Sequence, residues 1–363
     1  MDIKKTALYR THQQFGAKLV EFAGYYMPIQ YKGINEEHLR VRQSVGIFDV
    51  SHMGEFFFRG PRAEEFLQFL TINDVNSLRV YQAQYSAMCY ENGGIVDDLL
   101  LYRFPDKFLM VVNAANLEKD FQWIQEHLFD GVEFENRSQE LSLLAIQGRY
   151  ALDTLQKVTE VDISKVDNYW LTEGKVASVA AMISRTGYTG EDGFEVMLEN
   201  SQAEMVWNAI MAAGREFDIE PIGLGARDTL RMEVKYCLYG NDIDHTTNPL
   251  EAGLGWITKL NKQQDFIAKQ ALLQIKQNGL SRKLVGFQLD GKAIPRHGYK
   301  IVDGQRQIGV VTSGMFSPLL KTSIGLGYVP TSHAKIGTDI HINIRDRIFP
   351  AQIVKTPFYQ RDY

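Results

Sequence analysis

Residues 91–102 read ENGGIVDDLLLY, a turn followed by an apolar run that contains two adjacent acids. The Asn-Gly-Gly sequence favours a tight turn, and the aliphatic residues after it predict a strand. Successive side chains of a strand point to opposite faces, so Asp97 and Asp98 cannot both reach water if the sheet is covered on both sides. One carboxylate would then face the interior, where it must be hydrogen-bonded, paired or used in chemistry. The alternative is that both acids belong to an extended turn and cap the strand.

The bulk composition indicates an ordinary soluble globular protein of two or three domains, since 363 residues exceed the usual span of one core. The net charge of -5 argues against a general nucleic-acid binder. Cys89 and Cys237 lack the spacing of a disulfide framework or a metal site, which favours a reduced compartment. The N-terminus has no apolar signal segment, and no run approaches transmembrane length. We therefore expect a cytoplasmic protein with no membrane partner.

Strand and helix patterns are mixed along the first 280 residues without a regular βαβ order. We predict strands at 47–50, 55–58, 84–90, 95–103, 108–112, 178–185 and 193–198. We predict helices at 35–45, 62–70, 201–215, 223–235 and 263–278, and a further helix that begins at Asn113. This mixture predicts an α+β fold with antiparallel sheets. From about residue 283, short segments punctuated by Gly and Pro predict a small all-β barrel or sandwich.

Residues 185–195 read RTGYTGEDGFE and combine three glycines with three acids between two predicted strands. Glycines let the backbone approach a ligand, but phosphate loops lead into a helix, and carboxylates repel phosphate. A loop of this kind suits a ligand that donates hydrogen bonds, such as an aminopyrimidine edge, to which a carboxylate offers two acceptors. The alternative is a long acidic hairpin without a ligand.

Residues 223–233 read GLGARDTLRME and predict a helix that begins near glycines. Arg227 and Arg231 are four residues apart on one face, so they could clamp an anion or pair with Asp228 and Glu233. The Gly-Leu-Gly pattern lacks the strand, loop and downstream acid of a dinucleotide site. A nicotinamide cofactor is therefore not expected.

Motifs for metal-dependent or covalent catalysis are missing from the sequence. The eight histidines do not cluster at ligand spacing, and neither HExxH nor CxxC occurs, so no metal is expected. His52 and His245 are expected to be structural or to line a pocket. No GxSxG sequence and no Cys–His arrangement supplies a nucleophile. An enzyme of this kind would position its reactants and use one carboxylate.

Segments along nearly the whole chain resemble, in order, the aminomethyltransferase family, the T-proteins of the glycine cleavage system. They are FAGYYMPIQY at 22–31, FDVSHMGE at 48–55, GGIVDD at 93–98, RTGYTGEDGFE at 185–195, GARDTLR at 225–231, LYGNDI at 238–243, PLEAGLGW at 249–256, TSGMFSP at 312–318 and IGLGYV at 324–329. The resemblance implies transfer of a one-carbon unit from the aminomethyl-dihydrolipoyl arm of the H-protein to tetrahydrofolate. The products would be 5,10-methylenetetrahydrofolate, ammonia and dihydrolipoyl H-protein, without metal, nicotinamide or flavin.

The resemblance also implies the residues of the site. Asp97 matches the key acid beside the reacting folate nitrogens, and Asp98 is expected to support it or to cap the strand. Glu195 and Arg227 match folate-binding positions. The residues expected to line the folate pocket are Tyr85, Tyr102, Tyr188, Tyr236 and Met53. Asn113 is expected either in the pocket or only as a helix cap, and Arg361 near the folate, in a C-terminal tail that departs from the family's usual ending.

The family fold implies three domains in a cloverleaf around a central folate cavity. A split N-terminal folate-binding region would take residues 1–50 and 139–280. An inserted α+β domain of the ferredoxin-like type would take residues 51–138, and a C-terminal β-barrel domain residues 281–363.

Two alternatives come from the same superfamily. The first is a non-catalytic folate-binding regulator or assembly factor, which carries a Lys-Gly-Cys-aromatic-x-Gly-Gln-Glu signature. Residues 235–242 read KYCLYGND here, which keeps the cysteine but lacks the first Gly and the Gln-Glu. The second is a folate-dependent demethylase or the folate half of an amine oxidase, and the latter would need a flavin domain for which this chain has no room.

Overall fold

The computed structural model describes residues 3–291 and 293–363, which form 20 β-strands and eight α-helices. The strands are β1 (Lys4–Lys5), β2 (Lys18–Phe22), β3 (Tyr25–Gln30), β4 (Gly46–Asp49), β5 (Gly54–Arg59), β6 (Ala83–Cys89), β7 (Ile95–Arg103), β8 (Phe108–Val112), β9 (Glu133–Asn136), β10 (Leu141–Gln147), β11 (Leu171–Val176), β12 (Val179–Ser184), β13 (Gly193–Glu199), β14 (Glu220–Pro221), β15 (Arg282–Leu289), β16 (Lys300–Asp303), β17 (Arg306–Phe316), β18 (Ser323–Pro330), β19 (Asp339–Ile344) and β20 (Arg347–Val354). The helices are α1 (Tyr9–Gln14), α2 (Ile34–Gln43), α3 (Ala63–Leu70), α4 (Leu117–Glu126), α5 (Ala151–Gln156), α6 (Ala203–Ala213), α7 (Leu224–Glu233) and α8 (Lys269–Asn278).

The strands form three open sheets and one barrel. The open sheets have the orders β1-β3-β2, β11-β12-β13-β10-β4-β14 and β6-β7-β8-β5-β9, and the closed barrel has the order β15-β18-β17-β16-β19-β20. Pairing is parallel between β1 and β3 and between β4 and β14, and antiparallel in the other described pairs. The predicted α+β class is therefore confirmed, and its all-β C-terminal part is a barrel.

The five-stranded sheet takes all its strands from residues 54–136, inside the predicted insert at 51–138. Its chain order is βαβββαβ, which is the ferredoxin-like βαββαβ order with β6 added at the edge. Apolar side chains of α3 and α4, such as Phe66 and Ile124, pack against Leu99 and Leu101 of β7. The helices therefore cover one face of this sheet. The predicted domain bounds themselves stay a prediction.

The two larger open sheets pack face to face. Phe48 and Leu143 from the six-stranded sheet and Phe57, Tyr102 and Leu109 from the five-stranded sheet share one buried core. The opposite face of the six-stranded sheet is covered by α5 and α6. A polar side chain that either sheet turns away from its helices therefore enters the layer between the sheets, and we call this layer the inter-sheet layer.

Two predicted helices differ from the structure for visible reasons. The helix predicted from residue 263 begins at Lys269, because the buried ammonium of Lys262 donates to the carbonyls of Gln68, Thr71 and Asn73 and holds the preceding segment as a loop. The helix predicted from Asn113 begins at Leu117, after a short 3-10 turn, and the Asn113 side chain caps neither. The sequence patterns did not predict the strands β1, β2, β3, β9, β10, β11 and β14 or the helices α1 and α5. The predicted strands at 84–90, 95–103 and 108–112 are confirmed as β6, β7 and β8.

Candidate active site

The adjacent acids lie in the middle of β7 and point to opposite faces of the five-stranded sheet. Asp97 is on the face of Leu99 and Leu101, beneath the helices, and is fully buried. Asp98 is on the face of Leu100 and Tyr102, in the inter-sheet layer, and is half-buried. The extended-turn alternative is therefore wrong, because both acids belong to the strand.

The carboxylate of Asp97 is enclosed by the segment that joins β8 to α4. The backbone N–H of Asn113 donates to Oδ2 at 3.0 Å, and its side-chain Nδ2 donates to Oδ1 at 2.9 Å. Asn116 Nδ2 donates to the same Oδ1 at 2.5 Å. Burial raises the pKa of Asp97, and these donors oppose the rise. The structure thus places the predicted catalytic acid behind the sheet, away from the inter-sheet layer.

Asp98 has fewer protein partners and a pKa in the range that acid–base catalysis needs. The Tyr85 hydroxyl donates to Oδ2 at 2.8 Å, and Asn113 Nδ2 donates to Oδ1 at 2.8 Å. Burial, together with the negative charge of Asp97, raises the pKa of Asp98 to about 7. A carboxyl group with this pKa can accept and return a proton near neutral pH.

Glu195 faces the same layer from β13 of the six-stranded sheet. It is 6% exposed, and its carboxylate accepts hydrogen bonds from the hydroxyls of Thr186 and Tyr102, the second at 3.5 Å. Burial raises the pKa of Glu195, and the positive charge of Arg227 opposes the rise. The loop at 185–195 therefore supplies a buried acceptor to the layer, and the ligand-free hairpin alternative loses support.

Arg227 and Arg231 of α7 have different environments. Arg231 pairs with Asp228 at 2.8 Å and with Asp242 at 2.5 Å. The pairing alternative predicted the contact with Asp228 but not the one with Asp242. Arg227 lies over the ring of Tyr188, 4.5 Å from its centroid, and no described acid lies within ion-pair distance of it. A clamp made by both arginines is therefore wrong, and only Arg227 remains available to a ligand.

Tyr188 lies beside two other predicted site residues, Arg227 and Tyr236. Its hydroxyl donates to the backbone carbonyl of Cys237, and its ring lies 5.7 Å from that of Tyr236. The charges of Asp98 and of Arg227 both act on the pKa of Tyr188, which burial raises. Tyr188 therefore lies near both Asp98 and Arg227, and the guanidinium of Arg227 lies over its ring. Met53 packs at the edge of the same core.

The remaining predicted residues lie at the rim of the site or outside it. Arg361 Nη1 is 3.6 Å from Asp192 in the loop at 185–195, and its charge acts on the pKa of Tyr236. His52 is buried in the layer, where burial and the charge of Arg227 lower its pKa to about 4, so it is neutral. His245 is exposed.

A cleft of about 230 Å³ reaches this region from the protein surface. Tyr85, Tyr169 and Trp256 line it, and the Tyr85 ring lies 6.1 Å from that of the largely exposed Trp256. The cleft therefore extends as far as Tyr85, the residue whose hydroxyl donates to Asp98.

Sequence reasoning missed three polar residues that complete the site. Thr186 lies in the RTGYTGED segment. Its hydroxyl, in the same segment as Glu195, is the signal that could have identified it. Asn116, the residue before α4, and Asp120 in its first turns are four residues apart and both approach Asp97, a spacing that the sequence shows.

The comparisons with known proteins fit this arrangement. Residues 8–262 match the family model of the GCVT N-terminal domain, and residues 282–360 match that of the glycine cleavage T-protein C-terminal barrel domain. The chain belongs to the glycine cleavage T-protein family. The predicted resemblance is thereby confirmed.

Relatives of this T-protein family match over nearly their full length. Proteins named aminomethyltransferase from Chloroherpeton thalassium and Bacteroides thetaiotaomicron are 53% and 51% identical, covering 99% and 98% of this chain and 100% and 99% of the relatives. The crystal structure of the glycine cleavage system aminomethyltransferase T from Bartonella henselae aligns with a TM-score of 0.93, at 34% identity over 99% of both chains. The chain is therefore an enzyme, an aminomethyltransferase, and the regulator and demethylase alternatives are not favoured.

Two further observations concern membrane-spanning helices and metal-binding groups. No helix in residues 3–291 and 293–363 combines the length and apolar composition needed to cross a bilayer. Within those ranges, no group of three or more His, Cys, Asp and Glu side chains is arranged to hold a metal ion.

Proposed function

We propose that the enzyme transfers the one-carbon unit of an aminomethyl-dihydrolipoyl H-protein to tetrahydrofolate, the substrate that its family uses. Two C–N bonds form between the carbon and two folate nitrogens, while the C–S bond to the lipoyl arm and the C–N bond to the amine break. The two protons that leave the folate nitrogens go to the lipoyl sulfur and to ammonia. The observation that carries this proposal is a half-buried carboxyl group, Asp98, on the face of β7 that meets the sheet of Glu195, together with an arginine, Arg227, that has no described acid as partner.

The pterin ring would lie in the inter-sheet layer. Glu195 offers carboxylate oxygens to the amino and ring N–H groups of the pterin, since Thr186 and Tyr102 occupy only part of its hydrogen-bonding capacity. Arg227 faces the polar edge of the ring system, because it has no described acid as partner. The rings of Tyr188 and Tyr236 and the thioether of Met53 suit its flat faces. Arg361 would contribute only at the rim.

We assign the acid–base role to Asp98 and a supporting role to Asp97, which reverses the prediction from the sequence. Asp98 lies on the face of the sheet that meets Glu195 and Arg227, whereas the oxygens of Asp97 accept three N–H donors on the opposite face. Asp98 would take a proton from the attacking folate nitrogen and stabilise the cationic carbon that forms during transfer.

The experiment that tests the proposal follows ammonia release from aminomethylated lipoyl H-protein, with and without tetrahydrofolate. We expect release to depend strongly on the folate and methylenetetrahydrofolate to form in equal amount. Equal release in the presence and absence of folate would contradict the proposal. A matched assay with unlipoylated H-protein shows whether the lipoyl arm carries the group.

A further inference from the structure

A second buried acid, Asp120, lies against Asp97 on the far side of the five-stranded sheet. Asp120 belongs to the first turns of α4 and has no exposed surface, and a hydrogen bond between the carboxyl groups of Asp120 and Asp97 affects the pKa of both. Neither carboxyl oxygen of Asp120 receives an N–H or O–H from the residues that the structure describes. Two ionised carboxylates in contact inside the protein repel each other strongly, so one of them holds a proton.

The hydrogen-bond donors decide which carboxyl holds it. Asp97 accepts two N–H groups from Asn113 and one from Asn116, and these stabilise its ionised form. Asp120 accepts no N–H or O–H hydrogen bond from the described residues, so its neutral form has the lower free energy. The proton therefore belongs to Asp120, whose O–H donates to Asp97.

We propose that Asp120 and Asp97 share one proton and together act as a positioning pair for the site acid. The connection is Asn113, because its Nδ2 donates to Oδ1 of Asp97 at 2.9 Å and to Oδ1 of Asp98 at 2.8 Å. An ionised Asp97 forces the NH2 group of Asn113, and not its oxygen, toward Asp98. This inference extends the proposed function, since it assumes that Asp98 is the acid at the folate.

Other titratable groups around the pair fit a single negative charge. Lys119, the neighbour of Asp120, directs its ammonium to the carbonyl of Val96 and to the hydroxyl of Tyr239, 2.9 Å away. Burial lowers the pKa of Lys119, and the negative charges of Asp120, Asp97 and Asp98 oppose that change. Tyr90 faces Asp120 from the end of β6, and burial raises its pKa, so it adds no charge near neutral pH. One proton on the acid pair thus leaves one anion beside one cation.

Carbon-13 NMR of labelled aspartate carboxyls tests the shared proton without any activity assay. The measurement uses the Asp98→Asn variant, so that the titration of Asp98 itself is removed. We expect one aspartate carboxyl to stay protonated at pH 7.5, and the additional Asp120→Asn change to abolish that signal. Ionisation of every aspartate below pH 6 would overturn the proposal.

A double-mutant cycle tests the positioning role. We expect Asp120→Ala to lower kcat by about 10-fold with little change in the KM for tetrahydrofolate, since a slightly misplaced acid slows chemistry more than binding. Asn113→Ala should lower kcat by at least as much, and the double variant should be no slower than Asn113→Ala within about twofold. Effects that multiply would overturn the pathway through Asn113.

Conservative and matched variants complete the test. Asp120→Asn retains an N–H donor toward Asp97, so we expect it to recover most of the kcat that Asp120→Ala loses. An Asp120→Asn variant as slow as Asp120→Ala would overturn the proposal. Glu118→Ala removes an exposed acid of the same helix turn and should leave kcat unchanged. NMR could detect the shared proton while the enzyme shows no folate-dependent release of ammonia. That combination would contradict the proposed function and support the acid pair.

Discussion

Two groups of charged side chains lie on and around α7, and they differ in how completely the protein satisfies them. Arg231 donates to Asp228, Asp242 and Ser313, and Arg42 donates to Glu191 and Glu233, so both guanidinium groups are paired within the protein. We call this set the paired network. In the inter-sheet layer, one turn away, Arg227 has an aromatic ring beside it and no described acid as partner.

The difference separates structural charges from functional ones. The paired network joins parts of the fold, because Ser313 lies in the barrel while Asp242 precedes it in the chain. Withdrawing a charge from water without a partner is costly, so an unpaired, half-buried arginine indicates a place where a ligand completes the contacts. The same argument distinguishes Asp97, with three N–H donors, from Asp98 on the opposite face of the strand.

The largest effect is expected from Asp98→Asn. An amide cannot take a proton from the folate nitrogen, so turnover should fall by about 10²-fold or more. Tetrahydrofolate binding, measured by equilibrium titration, should change little. Asp106→Asn, an exposed acid in the turn after β7, is the matched control and should turn over normally. Near-normal turnover of Asp98→Asn would remove the distinction between the two faces of β7.

The two arginines of α7 give a direct test of the comparison. Arg231→Met leaves Asp242 buried without its partner, so we expect a loss of about 3 kcal/mol in unfolding free energy, measured by urea denaturation. Arg227→Met should leave that free energy nearly unchanged and weaken folate binding by about 10-fold, as expected for a charge-assisted hydrogen bond. The comparison fails if Arg227→Met unfolds the protein as readily as Arg231→Met does.

The pH dependence of kcat/KM gives a smaller effect with a defined sign. The proposed base, Asp98, can accept a proton only when it is ionised, and burial with the charge of Asp97 raises its pKa to about 7. Below this pH the protonated fraction grows, so kcat/KM should fall about tenfold per pH unit as the pH decreases. Asp98→Asn should lose this dependence, which a profile from pH 5.5 to 8.5 would show.

The fold and the site were predictable from the sequence to different extents. The NGGIVDDLLLY pattern predicted β7 because turn residues and aliphatic alternation are local signals. Alternation also showed that Asp97 and Asp98 face opposite ways, but it could not show which face the helices cover. That depends on Phe66 and Ile124 packing over Leu99, which are contacts between distant segments.

The role of single side chains depended on such contacts even more. Arg227 and Arg231 look equivalent on a helical pattern, and only the position of Asp242 separates them. The capping role considered for Asn113 is typical of its residue type, yet its amide binds two aspartates of another strand. Residue type and spacing thus located the polar groups, whereas their partners came from the tertiary structure.

The smallest effect is expected from Glu55, a fully buried acid of β5 whose carboxyl oxygens have no described partner. Burial raises its pKa well above the usual value, so the folded protein holds a proton that the unfolded chain releases. Stability is therefore lost as the pH rises from the unfolded pKa toward the folded one. Glu55→Gln cannot ionise and should exceed the wild type by about 1 kcal/mol at pH 8, with no advantage at pH 4.

Glu55 shares the face of β5 with Phe57, so it also lies in the inter-sheet layer, but burial alone raises its pKa. A neutral acid needs no charged ligand, so Glu55→Gln should keep wild-type turnover in the ammonia-release assay. Thermal denaturation at the two pH values measures the stability difference. A turnover loss comparable to that of Asp98→Asn would mean that the site extends to β5, and that an unpartnered buried group marks function even when it is uncharged.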